Sequence, residues 1–523
     1  MATRFHGGRI YLGNELYAEE IFCSDQGLVC TREEFLGSSE QNTIDLNGQF
    51  LLPAFVDSHS HPLFAGREAA GLDINHAKSI EELTDLLQSH RNSQPSLTWL
   101  DAAVYDRSIP GVPDRHTLDA AVSDIPVVLH VDDHHTLLVN TKALEVAGLM
   151  SGEVPALASG SVDIGPDGLP TGVLREWPAM SLVMDLAPKN SLEQDVQVLI
   201  QAEQRLISEG IVQAQDAWID KGMAEVYLEA DARALLQLTY NLCFRADPET
   251  FESDLPYILQ MNKKLTGTKH LKAQAIKFFV DGVFGSATAA VVEPYHSNGK
   301  NGELLWSKTS LIDAISLAHL NGFQSHIHAI GDLGVAAALS ALSKATPAPD
   351  LLSPVIAHAE LTNDELLLQV KSLDVFVCMQ PYWAQENGML LSCQSHLGKE
   401  RLNSLYAIRD MLENGLTVAF SSDWPVSTPS VIKGMTVAVF RREHHEQTAH
   451  NPSQATSLHQ AISSYTTGGH KLLGNPLGGT LNVGEQFNAV LINHFLNESD
   501  LDSFTSAKVT STFLLGKDLL IHN

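Results

Sequence analysis

In the run Phe55-Val56-Asp57-Ser58-His59-Ser60-His61-Pro62, two histidines stand two residues apart at the end of an apolar stretch. Side chains two apart on a strand project to the same face, so His59 and His61 can aim two imidazoles at one point. Neutral imidazole is a good ligand for Zn²⁺ and similar ions. A pair of hydrogen-bonded histidines at a turn is the competing reading. Lys277, in Ala275-Ile276-Lys277-Phe278-Phe279-Val280-Asp281-Gly282, sits among apolar neighbours. Desolvation of an ammonium there depresses its pKa and makes the amine nucleophilic. Such a lysine can add CO₂ to become a carbamate, an anionic bridge between two metals. The alternative is a lysine paired with Asp281 or another carboxylate.

Further ligand-type side chains close other apolar runs. His328 lies in His328-Ala329-Ile330-Gly331-Asp332, His358 in Ile356-Ala357-His358-Ala359-Glu360, and Asp423 in Ser421-Ser422-Asp423-Trp424-Pro425. Any one alone could be structural. Separate strands ending in such groups, with a basic lysine on another, point to a metal centre. His326 lies two residues from His328 on the same strand face and is an alternative ligand. Other nucleophilic chemistry is poorly represented: there is no G-x-S-x-G elbow and no Walker A loop. Gly282-Val283-Phe284-Gly285 is too short and wrongly flanked for dinucleotide binding, and reads as a turn.

These residues need a scaffold that gathers strand ends. The middle of the chain repeats a capped helix, a glycine stop and a short apolar strand. One helix opens at Ser191 with Gln194, stops at Gly210 and leads into Ile211-Val212-Gln213-Ala214. A second opens at Ser310 with Asp313, stops at Asn321-Gly322 and leads into Phe323 through His328. A third runs from Asn403 to Leu412, stops near Gly415 and leads into Leu416 through Phe420. Strands are expected at 51–57, 210–216, 238–244, 274–281, 323–328, 354–359, 374–380 and 416–423. Such alternation predicts an α/β fold with parallel strands closed into a (β/α)₈ TIM barrel. A doubly wound sheet is the alternative fold, but its Gly-rich phosphate turn is missing.

Two regions fall outside the repeat. Residues 67–190 are too long for a loop and predict an inserted α+β subdomain over the barrel mouth, with a strand at Pro126-Val127-Val128-Leu129. Residues 1–50 and 474–523 carry short β-like runs, Arg9-Ile10-Tyr11-Leu12 and Ala489-Val490-Leu491-Ile492 among them. They predict one small composite β-sandwich domain from both termini. The barrel then takes 51–66 and 191–473.

With 523 residues, several structural units are expected. Hydrophobic residues at 44% and charged ones at 18% are ordinary for a folded enzyme. The formal net charge is −29, from 33 Lys and Arg against 62 Asp and Glu. Such a surface repels phosphate backbones and anionic lipid, which argues against nucleic acid and membranes as partners. No apolar run nears the roughly 20 residues of a membrane helix, and the start lacks a secretory pattern. The five cysteines contain no C-x-x-C pair, as in a reduced cytoplasmic protein.

Together these motifs resemble the amidohydrolase superfamily. Lys277 through Asp281-Gly282 to Thr288-Ala289, His328 through Asp332, and Ser422 through Pro425 are similar to its family 3, the YtcJ-like branch that includes N-substituted formamide deformylase. Asp133-His134-His135 with Asn140, and Gly172-Val173-Leu174-Arg175-Glu176, resemble that branch's inserted region. The resemblance implies that His59, His61 and Asp423 hold one divalent metal, Zn²⁺ being the first choice. His328 and His358 would hold a second, with N-carboxylated Lys277 bridging the two. It implies hydrolysis of a non-peptide C–N bond in an amide, N-substituted formamide or cyclic amide, with Asp423 as the catalytic proton carrier. His135, Trp383 and Trp424 are expected to bind a small-molecule substrate, and a homodimer is left open. The alternatives are a lactonase or phosphotriesterase on the same cage, or an inactive binding or regulatory protein. This chain has Asp-His-His where the family commonly has Asp-Gly-His.

Overall fold

A computed structural model describes residues 1–520 except 107–108, 133, 152–153, 158–159 and 349. Its centre is a parallel eight-stranded sheet in chain order: β1 (Phe55–Ser60), β2 (Ile211–Ile219), β3 (Thr239–Arg245), β4 (Leu271–Phe279), β5 (Gln324–Ala329), β6 (Val355–His358), β7 (Phe376–Met379) and β8 (Val418–Phe420). The seam between β8 and β1 is closed by backbone bonds beyond the end of β8. Asp423 N donates to the His59 carbonyl at 2.8 Å, and His61 N to the Trp424 carbonyl at 2.7 Å. The chain is therefore a (β/α)₈ barrel. Its strands are buried on both faces, as an all-parallel sheet requires, and β1 and β2 are buried throughout.

The capped helices form where their end signals stand, with local shifts. Ser191 caps Leu192–Ser208 in a capping box with Gln194. Gly210 then turns the chain at φ +82°, where a Cβ would lie 2.7 Å from the Val490 side chain. The second expected helix begins earlier, because Ser307 rather than Ser310 is its cap and accepts from Ser310 N. The third is broken. Tyr406, at φ +60°, separates Gln394–Ser404 from Ile408–Glu413, and its hydroxyl donates to Glu360 Oε2 at 2.8 Å.

The expected strand 51–57 is two strands. Phe50–Pro53 pairs with Ala489–Ile492 in the terminal sheet, and β1 starts only at Phe55. The apolar run continues unbroken from Phe50 to Val56, so periodicity alone cannot see the change of sheet at Ala54. Both chain termini contribute to this second eight-stranded sheet. In place of the expected sandwich, the strands pair into one continuous sheet, which carries its own core of Phe5, Ile21, Leu51, Phe487, Leu491 and Phe513. A third sheet of six strands lies between Leu72 and Arg175, with the helices Ile80–Ser93, Arg115–Ala121 and Thr141–Val146 between its strands. No helix among the described residues is long and apolar enough to cross a membrane. All five cysteines are buried and none forms a disulfide.

Candidate metal centre

The C-terminal ends of the barrel strands bring three donor atoms together. One ligand atom each of His59, His358 and Asp423 lies within 4.8 Å of the others, and all three residues are buried. His61 Nε2 is 2.9 Å and His59 Nε2 3.4 Å from the same oxygen, Asp423 Oδ1. His358, at the end of β6, and Asp423, just beyond β8, are both in the left-handed region, at φ +76° and +55°. Such backbone costs about 1–3 kcal/mol and persists where the surroundings impose it.

The electrostatics suit a cation. Burial, reinforced by the nearby Lys277, holds the His59 imidazole well below its ordinary range. Burial likewise lowers His358 to about 3. Both rings are thus neutral and able to offer a lone pair. Burial alone would raise the Asp423 carboxyl, but the hydrogen bond and charge of His61 hold it well below the usual carboxylate range. Lys277 is fully enclosed, and burial pushes its amine down to about 8. Its Nζ lies 2.9 Å from His59 Nε2. Asp281, the alternative partner, is engaged elsewhere: it accepts from Ala290, Ile330 and Gly331 N at 2.9–3.0 Å.

Neighbouring groups orient the rings. His358 Nδ1 meets Gln380 Oε1 at 2.8 Å, and the Trp383 ring stacks on the imidazole at 5.5 Å with 3° between planes. His59 Nδ1 meets His326 Nε2 at 2.8 Å, and His326 Nδ1 accepts from Gln215 Nε2 at 2.9 Å. The two β5 histidines therefore separate by layer. His328 borders the cavity above the centre and packs 4.6 Å from His358, ring to ring. His326 lies deeper, behind His59.

A model of the amidohydrolase family matches residues 42–512. The chain belongs to the amidohydrolase family. It is 27% identical to YtcJ of Bacillus subtilis, named as an amidohydrolase, over 90% of this chain and 89% of that one. It is 24% identical to the N-substituted formamide deformylase of Arthrobacter pascens, over 84% and 82% of the two chains. An uncharacterized metal-dependent hydrolase from Pyrococcus horikoshii has the same fold, with a TM-score of 0.76, 22% identity, and 95% and 99% of the chains covered.

In this amidohydrolase a cavity of about 270 Å³ opens over the centre. His59, His61, Lys277, His328, His358 and Asp423 all border it, as do His135 and Trp383. Trp424 does not. Its backbone carbonyl is tied to His61 N and its ring packs on the main core, while Pro425 and Val426 take the wall. Asp133, quoted with His134 and His135, lies outside the described residues. Phe64, Trp177, Trp218 and Phe279 form an aromatic side, with Trp218 4.6 Å from Trp177 and 4.7 Å from Phe279. The arginine and lysine side chains on the described wall are Arg67 and Lys277. Arg67 is held by both oxygens of Asp195 at 2.9 and 2.7 Å. At the mouth, Glu68 meets His134 at 2.7 Å and Asp101 meets His130 at 3.0 Å. Sequence reasoning missed Gln215 and Gln380, whose amides are no ligands but hold the histidines. Their places on β2 and just after β7 were the available signal.

Proposed function

We propose that the protein is a metal-dependent amidohydrolase that cleaves a non-peptide C–N bond in a small, neutral, N-substituted amide, formamide or cyclic amide. The observation that carries this reading is the convergence of His59, His358 and Asp423 on the floor of a cavity with an aromatic side. His59, His61 and Asp423 would hold one divalent ion, Zn²⁺ for preference, and His328 and His358 a second, with Lys277 as a carbamate between them. When bound there, such ions supply Lewis acidity toward a carbonyl and lower the pKa of water.

The residues of the chain do the rest. Asp423 takes the proton released as the new C–O bond forms and passes it to the nitrogen as the C–N bond breaks. Trp383 holds His358 in plane, and His135 meets the substrate from the inserted region. The aromatic side receives the apolar substituent on nitrogen. A carboxylate on the substrate would find the guanidinium of Arg67 already engaged and two acids at the mouth. The likeness to a formamide deformylase supports the same bond type.

Elemental analysis of the purified protein, together with rates on N-formyl amines and on lactones for wild type and Lys277→Ala, tests this. Bound metal and N-formyl amine hydrolysis lost in the variant are expected. A folded, active, metal-free wild type would refute it, and a preference for lactones would replace the bond assignment.

A further inference from the structure

The inserted region reaches the cavity through His135, and its register places a second residue beside it. Thr136 pairs with Arg175 across two antiparallel strands. The preceding His135 and following Glu176 are thus brought face to face, and Glu176 N donates to the His135 carbonyl at 2.8 Å. Glu176 stands at φ +65°, a conformation that non-glycine residues rarely adopt. The turn sends its side chain back: Glu176 Oε2 lies 2.8 Å from His135 Nδ1. The other oxygen is held by the barrel. Thr288 Oγ1 donates to Glu176 Oε1 at 2.5 Å, and Val283 N donates to Thr288 Oγ1 at 3.0 Å. Gly282 leaves room for this junction, since a Cβ there would lie 2.2 Å from Thr288 Oγ1 and 2.8 Å from Glu176 Oε1. Glu176 is only 5% exposed and does not border the cavity among its described lining.

We propose that Glu176 is a positioning residue that orients His135 toward the substrate and fixes its tautomer. With Nδ1–H directed at a buried carboxylate, Nε2 is the ring nitrogen a substrate would meet, the logic by which an acid orients a histidine in a hydrolytic triad. The anchor spans two structural units, so it also sets the height of the inserted sheet over the loop that follows Lys277. This inference rests on the hydrolase reading given above. It adds that the insertion contributes an oriented imidazole rather than a passive cover.

The test is a cycle of Glu176→Gln, His135→Ala and the double variant, with Glu176→Asp alongside, assayed on a neutral N-formyl amine. Glu176→Gln is expected to lower kcat by about ten-fold or more with KM changed by less than about three-fold. The same change in the His135→Ala background should have little further effect, and Asp should restore part of the rate. Independent, multiplicative losses, or a change confined to KM, would overturn the proposal while leaving the hydrolase reading intact. Nitrogen NMR of histidine-labelled protein decides the matter without turnover. The wild type is expected to give a protonated-Nδ1 signature that His135→Ala deletes and Glu176→Gln shifts. An unshifted signal would overturn the orienting role even if no substrate in the panel were cleaved.

Discussion

His59 Nδ1 and His326 Nε2 lie 2.8 Å apart inside the barrel, one layer below the cavity. The contact joins β1 to β5 and leaves His59 Nε2 at the side of Asp423 and Lys277. Groups that hold the second nitrogen of a ligating histidine commonly control metal affinity by 10–100-fold. His326→Ala is therefore expected to weaken metal binding by about ten-fold or more while His328 stays in place. Competition against a chelator measures it, and an unchanged affinity would contradict the role assigned to His326.

Asp423 sits within reach of His59 and His61 and carries the proposed proton transfer. Asp423→Asn keeps the shape and the backbone bond to His59 but removes the base. A fall in kcat of about 10²–10⁴-fold is expected, with far-UV circular dichroism unchanged. Activity within a few-fold of wild type would remove Asp423 from the mechanism.

Charge on the substrate should matter more than size. N-formyl derivatives of an apolar amine and of the matching amino acid differ by one carboxylate, and on the described wall the guanidinium of Arg67 is already engaged by Asp195. A buried unpaired charge is costly, so kcat/KM for the amino acid derivative is expected to be lower by about ten-fold or more. Equal rates would show that the binding mode is wrong.

Glu203 gives a stability handle far from the centre. It is fully buried and accepts from Gln237 N, Leu238 N and Tyr240 Oη at 2.9, 3.1 and 3.2 Å. Burial nevertheless raises its carboxyl from 4.5 to about 7. A folded-state value above the unfolded one means a contribution that is full below the unfolded pKa and lost as the pH rises through the folded one. The advantage of wild type over Glu203→Gln, read by urea denaturation, should shrink by up to about 3 kcal/mol as the pH rises from about 4.5 to 7. A difference independent of pH would show that Glu203 does not titrate in this range.

The barrel was legible because its signals are local. Ser191, Gln194 and Gly210 announce a helix and its stop whatever they pack against, and the strands that follow are apolar runs of the right length. The candidate histidine and aspartate ligands were legible for the same reason, standing at or just past strand ends, while Lys277 stood out as a charge inside an apolar strand. What escaped depends on pairing across the chain. The division between Phe50–Pro53 and β1 exists because one stretch pairs with Ala489–Ile492 and the other with β2. The layer that separates His326 from His328 is set by barrel stagger, which no spacing within β5 encodes. Trp424 was expected on the wall because it follows Asp423. The carbonyl bond to His61 N instead accompanies a chain path that leaves its ring half-buried against the core.

The pairing of Phe50–Pro53 with Ala489–Ile492 couples the terminal sheet to the candidate centre. The approach to the segment carrying His59 and His61 is thereby held by residues far later in the sequence, and Thr512, whose hydroxyl is bonded to the Ile207 carbonyl at 2.7 Å, adds a second tie just before β2. Without them the two candidate ligands would follow a segment that lacks its partner strand. Damage at this distant sheet edge would therefore be felt at the strand that aims both imidazoles.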